Sequence, residues 1–425
     1  MMEKLVTDLT DEELTELYSS IVKEYASYKD KNISIDMTRG RPSKEQLDLS
    51  DDLLTVLSSG KDCITESGID ARNYGGLSGI SECKRLFADL MKISPENVFI
   101  GGNSSLTLMY DMLVKCMIFG TDDENKPWFN QKIKFLCPSP GYDRHFAMLE
   151  DLGISLIPIP MTGNGPDMDM VEELVKKDDK IKGMFCVPKY SNPTGECYSS
   201  ETIKRLASLK TKATDFRIFY DNAYIIHDFD EEIEIDNIFD YTKGTKNENM
   251  VYEFVSTSKM VHPGSGVCAL GTSKANIDFL NKHISCQIIS NDKMNQLRLV
   301  KYFGNVENMK AHMKKQGKIM KEKFDIVTGI FEKEFAPYPE ISFTKPGGGY
   351  FVGLYAKPNT AKEIYTLCSK LGVKLTNVGA AYPESEDPDD SFLRICPSNV
   401  SIEDLKTATT ILATCTKMAY IRYIK

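Results

Sequence analysis

Val251-Tyr252-Glu253-Phe254-Val255-Ser256-Thr257-Ser258-Lys259 is the stretch on which the reading of the chain turns. Val251 to Val255 is a short apolar run, the mark of a buried strand. It ends in hydroxyls and a lysine. A lysine at the end of a buried strand is held out of water, which lowers its pKa and makes its amine a usable nucleophile. Ser256 and Ser258 beside it offer hydroxyls to a phosphate oxygen. Strings of this kind also occur in ordinary surface loops, so the meaning of this one depends on what the other strands carry at their ends.

Outward from this stretch, residues 97–275 alternate strand and helix. Strands are expected at Asn97–Ile100, Ile133–Cys137, Ile181–Val187, Arg217–Tyr220, Val251–Val255 and Val267–Leu270, and helices at 105–118, 143–152, 168–176 and 200–210. Short apolar strands alternating with helices predict an α/β domain with a mainly parallel sheet. Ligands of such sheets bind beyond the carboxyl ends of the strands. Gly101-Gly102-Asn103-Ser104-Ser105 follows the first strand and opens a helix, whose free N–H groups and dipole favour a phosphate. It is neither a Walker A loop nor G-x-G-x-x-G. Pro138-Ser139-Pro140-Gly141-Tyr142 follows the second and presents an aromatic ring. The third is followed by Pro188-Lys189-Tyr190-Ser191-Asn192-Pro193-Thr194-Gly195, and the fourth by Asp221 with Tyr224 three residues on. An aspartate that ends an apolar strand is costly to bury without a partner.

Beyond this core, residues 1–30 read as one helix, with Thr10 and Glu13 at capping-box spacing and Leu9 and Leu14 as a hydrophobic staple. Asp36-Met37-Thr38-Arg39-Gly40-Arg41-Pro42-Ser43 is irregular, and a loop is where a ligand-binding arginine is found. In Arg72-Asn73-Tyr74-Gly75-Gly76-Leu77-Ser78-Gly79, three glycines around a tyrosine suggest close backbone approach. A helix over Ser81–Met91 follows. From about 306 a long charged helix to Glu334 leads to Pro346-Gly347-Gly348-Gly349-Tyr350-Phe351-Val352, a helix near 360–371, a strand near 373 and Ser391-Phe392-Leu393-Arg394-Ile395-Cys396. A last helix is capped by Ser401. This is the pattern of a second, smaller α/β domain, with the N-terminal helix packed on it.

The 425 residues suffice for large cores. A net charge of −9 without a basic run argues against nucleic acid or a membrane surface as partner. Eleven scattered cysteines with no CxxC pair point to reduced, buried thiols and a cytoplasmic location. The five histidines lack metal-ligand spacing, and no metal is expected. The acidic, amphipathic N-terminus is not a signal peptide, and no apolar run approaches the ~18 residues of a membrane span.

Pyridoxal phosphate needs a lysine for its aldehyde, a buried carboxylate for its ring nitrogen, donors for its phenolic oxygen, a cover for its ring and N–H and O–H groups for its phosphate. An amino-acid substrate adds an arginine for its carboxylate. Asn192-Pro193-Thr194-Gly195, Asp221-x-x-Tyr224, Ser256-x-Ser258-Lys259 and Phe392-Leu393-Arg394 occur in that order, with 29, 38 and 135 residues separating Asn192, Asp221, Lys259 and Arg394. In these residues the sequence resembles the fold-type I, pyridoxal-phosphate-dependent class I/II aminotransferase family, from about residue 36 to the C-terminus. Three further stretches are similar to the type Ic aspartate-aminotransferase subgroup. They are Arg39-Gly40-Arg41-Pro42-Ser43 with Glu45 to Ser50, Pro140-Gly141-Tyr142-Asp143-Arg144-His145-Phe146, and Asp292-Lys293 with Asn295-Gln296-Leu297-Arg298.

The resemblance implies the pyridoxal-phosphate-dependent transferase fold, with a mainly parallel, mixed seven-stranded sheet in a large domain (61–305), a small domain (306–425) and an N-terminal segment (1–60) packing with it. It implies that Lys259 holds the cofactor and moves the substrate proton, that Asp221 pairs with the pyridinium, and that Asn192 and Tyr224 bind the phenolic oxygen. Tyr142 stacks on the ring, and Ser104, Ser105, Ser256 and Ser258 bind phosphate. Tyr74 reaches the phosphate of the neighbouring subunit, which makes a homodimer. Arg394 takes the substrate α-carboxylate, with Asn192 and Arg39 also on the substrate. The activity implied is transamination, aspartate with 2-oxoglutarate. The alternatives are a transaminase of other specificity, a β-lyase on the same scaffold and a non-enzymatic regulator fragment.

Two positions depart from the wider family. The arginine eight residues after the lysine, which grips phosphate in many aminotransferases, is replaced by Val267. Charge balance is left to Lys293, Arg298 or backbone N–H groups. No motif fixes the residue for a distal carboxylate, for which Arg39, Arg41, Arg144, Lys189 and Lys293 are candidates.

Overall fold

Ile181–Cys186, Arg217–Asp221 and Val251–Ser256 are buried at every position, and they form the centre of the main sheet. The structure, a computed structural model, describes residues 4–122 and 124–425. Seven strands lie in the order Val98–Ile100, Cys268–Gly271, Val251–Ser256, Arg217–Asp221, Ile181–Cys186, Lys134–Ser139, Ser155–Pro160. Cys268–Gly271 runs antiparallel to both its neighbours, and the remaining pairs are parallel. The six expected strands are present, with ends displaced by at most two residues. The seventh strand that the resemblance implies is Ser155–Pro160, a stretch the sequence pattern does not pick out. Its two prolines and half-exposed pattern disguise it, and both are tolerated because it is an edge strand.

Strand periodicity divides the side chains between two faces. Phe185, Phe219 and Phe254 pack on one face with Phe135, against the helix Ser105–Phe119. Met184, Cys186, Ile218 and Tyr220 pack on the other. Asp221 has the parity of Phe219, so its carboxylate emerges on the phenylalanine face, under the helix Asp143–Asp151.

The C-terminal part holds a three-stranded antiparallel sheet, Phe392–Ile395, Val352–Tyr355 and Ser342–Phe343. A parallel two-stranded pair joins Ile35–Asp36 to Val373–Lys374, which carries the loop at 38–41 and the loop at 375–380 to one place. The N-terminal helix is Asp11–Ser27, shorter than expected, because Thr10 caps it. Thr10 Oγ1 accepts from the Glu13 N–H at 3.3 Å, and Glu13 accepts from the Thr10 N–H at 2.7 Å. Residues 1–3 of the expected helix lie outside the described residues. Leu14, Ile21 and Tyr25 enter one core with the helices Val306–Phe335 and Ile402–Ile424, and the Tyr25 hydroxyl donates to Leu367 O at 3.2 Å. The stretch 229–249 contains the short helix Ile238–Thr242. Among the described residues no helix is long and apolar enough to cross a membrane, and no cluster could hold a metal.

Glu253 is an acid inside this core. It faces the side of the sheet away from Asp221 and accepts from Asn222 Nδ2 at 2.7 Å. Burial pushes its pKa from 4.5 up to about 7, against the pull of that hydrogen bond. Between those two values the unfolded chain loses the proton while the folded chain keeps it, so stability falls as pH rises. A shift of that size is worth on the order of 3 kcal/mol above pH 7. Glu253→Gln keeps the acceptor and removes the ionisation. Its urea midpoint should match wild type near pH 4.5 and exceed it increasingly towards pH 8. Parallel pH curves for the two proteins would contradict this.

Candidate active site

The carboxyl ends of the parallel strands surround a cavity of about 110 Å³. Lys259 and Asp221 reach it from neighbouring strands, Asn192 from the loop after Ile181–Cys186, and Tyr142 from the end of the loop after Lys134–Ser139. Tyr224 closes it from the turn after Asp221.

Lys259 is enclosed. Its Nζ lies 5.3 Å from the centre of the Tyr224 ring and 6.0 Å from that of Tyr350. Burial lowers the pKa of the amine, and the Asp221 charge opposes that shift. Asp221 is 3% exposed. An ionised carboxylate only accepts, so the contact of Oδ2 with His145 Nε2 at 3.0 Å is a hydrogen bond from the imidazole. The His145 ring stacks on Phe185 with centroids 4.2 Å apart and 11° between planes, which fixes it behind the carboxylate. Burial first, and then the nearby Tyr142 and Asp221 groups, raise the Tyr224 pKa well above its usual value, so its phenol keeps its proton and can donate. Tyr142 is held protonated in the same way, by burial and then by Asp221.

The other end of the cavity is a set of hydroxyls around a helix N-terminus. Ser104 precedes the helix Ser105–Phe119 without using its hydroxyl as a cap. The Ser256 and Ser258 hydroxyl oxygens are 2.7 Å apart, and Ser258 Oγ donates to Asn103 O at 2.9 Å. With Ser105 they offer four hydroxyls and the positive end of a 15-residue helix to an anion.

The fit of pyridoxal phosphate is tested by Asp221 Oδ1. This buried atom lines the cavity and has no hydrogen-bond partner among the described residues. Leaving a buried carboxylate oxygen unpaired is expensive, and a protonated ring nitrogen is the donor it lacks. With a lysine, phenol and amide donors, and an anion-binding helix end around the same cavity, the donor set fits the cofactor.

The cavity shares Tyr142, Asn192, Tyr224 and Lys259 with an adjoining cleft of about 520 Å³. Arg394 lies there, with NH1 2.9 Å from Asp143 Oδ1 and 3.4 Å from Asn192 Oδ1. Arg39 and Arg41 come from the 38–41 loop, and Arg144 from the helix start after Tyr142. Two of the candidate cations are elsewhere. Lys189 is buried against Asp228 Oδ2 at 2.9 Å and Ile225 O at 3.1 Å. Lys293 Nζ donates to Asn73 O at 2.6 Å and Gly75 O at 2.7 Å, so it holds the Tyr74 turn and reaches neither the cleft nor the cavity. Arg298 NH1 donates to Asn295 Oδ1 at 3.0 Å, and Arg298 lines neither space. The Val267 side chain is in the core. Tyr74 is 81% exposed and touches no part of the cavity within its own chain.

His145 and Asp143 stand inside a quoted motif but received no role from sequence. The available signal was position: His145 lies three residues after Tyr142 on a helix, a spacing that turns both to one side.

Residues 9–425 match the model of the family described as aspartate amino-transferase. The chain is 39% identical over 414 residues to the aspartate aminotransferase of Corynebacterium glutamicum, covering 97% of this chain and 95% of that protein. The crystal structure of an aspartate transaminase from the same species superposes with a TM-score of 0.96 at 38% identity, covering 99% of both chains. The α-aminoadipate aminotransferase of Thermus thermophilus, complexed with N-(5'-phosphopyridoxyl)-L-leucine, shares the fold at a TM-score of 0.74 and 17% identity, covering 95% of this chain and 96% of that one.

Asp221→Ala removes the carboxylate whose unpaired oxygen faces the cavity and leaves His145 Nε2 without its acceptor. Breaking a charge-assisted buried contact costs about 1.5–3 kcal/mol. In an absorbance titration of the cofactor-free protein, pyridoxal phosphate should bind the variant at least about tenfold more weakly. Equal affinity would remove Asp221 from the cofactor.

Proposed function

The chain belongs to the aspartate amino-transferase family, and on that premise we propose that it moves the amino group of aspartate to 2-oxoglutarate, giving oxaloacetate and glutamate. It is an aminotransferase that uses pyridoxal phosphate and takes an amino acid and a 2-oxo acid in turn. When bound, the cofactor supplies the electron sink that lets an amino acid give up its Cα proton. Lys259 Nζ takes that proton and returns it, a role for which an amine with a lowered pKa is suited. Asp221, fixed by His145, keeps the ring nitrogen protonated. Tyr224 and Asn192 bind the phenolic oxygen, Tyr142 covers the ring, and Ser104, Ser105, Ser256 and Ser258 hold the phosphate. Arg394 takes the α-carboxylate.

The observation that favours a dicarboxylic substrate is the surplus of guanidinium in the cleft. Beyond Arg394 it holds Arg39, Arg41 and Arg144. Arg41 has only a 4.0 Å contact with Asp36, and Arg39 and Arg144 have no carboxylate partner among the described residues. A second carboxylate supplies the missing counter-charge. We assign its binding to Arg39 and Arg144 ahead of Lys189 and Lys293, whose amines are already bonded.

A homodimer with Tyr74 completing the partner's phosphate site is supported by the form of its turn. Gly75 and Gly76 take φ of +100° and +80°, which glycine accommodates, and Lys293 pins the carbonyls on either side of the exposed ring. We divide the chain into the cofactor-binding domain 61–305 and the small domain 306–425 with 1–60 packed on it. That division is supported by the core shared by the N-terminal helix and the last helices. The reduced cysteines support a cytoplasmic location.

The test follows single amino acids converting the visible-absorbing form of the loaded protein. A carboxylate–guanidinium contact of about 1.5–3 kcal/mol corresponds to a ten- to hundredfold effect. Aspartate and glutamate should therefore convert it at least about tenfold faster, per unit concentration, than alanine, leucine and phenylalanine. A faster monocarboxylic amino acid would overturn the assignment of substrate.

A further inference from the structure

The guanidinium assigned to the substrate α-carboxylate already has an anion on it. Asp143 Oδ1 accepts from Arg394 NH1 at 2.9 Å, Asn192 Oδ1 shares that nitrogen at 3.4 Å, and Thr376 Oγ1 accepts from Nε at 3.3 Å. NH2 alone has no partner among the described residues. Bidentate docking needs two nitrogens on one edge, and each edge that includes NH2 also includes a nitrogen already engaged.

The two members of the pair are unequally held. The Arg394 side chain is 8% exposed and that of Asp143 is 33% exposed. Arg394 is fixed by its strand, and its carbon lies 5.2 Å from the centre of the Phe351 ring. Asp143 stands at the first turn of a helix on the cleft side, and its carboxylate has no second hydrogen bond among the described residues. An arginine this deep is costly without a counter-ion. Asp143 meets that need while the cleft holds no substrate, and it is the member that can turn away.

Resting on the reading of Arg394 just given, we propose that Asp143 is a resident carboxylate that a substrate carboxylate displaces. Binding is then an exchange of one carboxylate for another on Arg394, and the buried guanidinium keeps one anionic partner throughout. The exchange opposes every ligand that docks on Arg394, whether it carries one carboxylate or two, and by the same factor. Asp143 is thus a positioning residue that acts through Arg394 and sets affinity rather than turnover. It is separate from the discrimination between mono- and dicarboxylic substrates, which belongs to Arg39 and Arg144.

The test measures binding of two unreactive carboxylates, propionate and maleate, to the cofactor-loaded protein by calorimetry. It compares wild type with Asp143→Asn, which keeps the shape, and Asp143→Ala, which removes it. Loss of a partly exposed charged contact should tighten both ligands in both variants by about five- to twentyfold. The KM for aspartate should fall by a similar factor, with kcat changed less than about twofold. Unchanged or weaker binding of the two ligands would overturn the proposal and make Asp143 a group that merely orients Arg394. A wild-type protein that binds propionate as tightly as maleate would instead count against the dicarboxylic substrate, with the tightening in the variants still to be seen.

Discussion

Asp221 is buried at the end of one parallel strand, Lys259 stands half-buried just past the end of the next, and both depend on that position. Residue 221 stands beside Phe254 in the register, so the strand that carries the acid also sets where the neighbouring strand releases its chain towards Lys259. Neither group is comfortable there. The amine has its charged form disfavoured by burial, and one oxygen of the carboxylate has no hydrogen-bond donor among the described residues. The phenylalanine face of the sheet keeps water away, and His145, stacked on Phe185, supplies a donor that holds the acid in its orientation. A flat heteroaromatic cofactor with an aldehyde at one place and a protonated nitrogen at another satisfies both groups at once. We place cofactor binding on these two incompletely paired ionisable side chains.

The cleft beside this cavity has the opposite problem, an excess of cations. Besides the residues it shares with the cavity, it is assembled from the loop at 38–41, the helix start at 143–144, Phe351, the loop at 375–380 and the strand that carries Arg394. Hydrogen bonds between these parts are few and mostly involve Arg394. The paired strands Ile35–Asp36 and Val373–Lys374 join two of these parts, and Arg394 bonds to the others through Asp143, Asn192 and Thr376. An acidic chain with a basic cleft also attracts anions locally while its surface repels them.

The main sheet was legible because its strands are short, largely apolar runs, and several of them lead directly into polar residues that an apolar core would not otherwise place there. Lys259, Asp221, Asn192 and the serines were found from that break in pattern. Ser155–Pro160 was not, since prolines and half exposure remove the signal at a sheet edge. The arrangement around Arg394 was less legible for a physical reason. Asp143 is 251 residues away from it, and the strands that bring Arg39 beside Thr376 are two residues long, too short to leave any periodicity. The fate of Lys189 and Lys293 was likewise closed to sequence, because a lysine bonded to backbone carbonyls looks the same in a sequence as a free one. His145 shows how a residue can be seen in a motif without its partner being seen, since the acid it serves is 76 residues later in the chain.

The central claim is that Lys259, and no other lysine, carries the cofactor opposite Asp221. The most direct measurement is borohydride reduction of the cofactor-loaded protein, followed by proteolysis and mass spectrometry of the peptides. The account predicts a phosphopyridoxyl mass on the peptide that contains Lys259, at one per chain. The mass on the peptide of any other lysine, or on none, would contradict it.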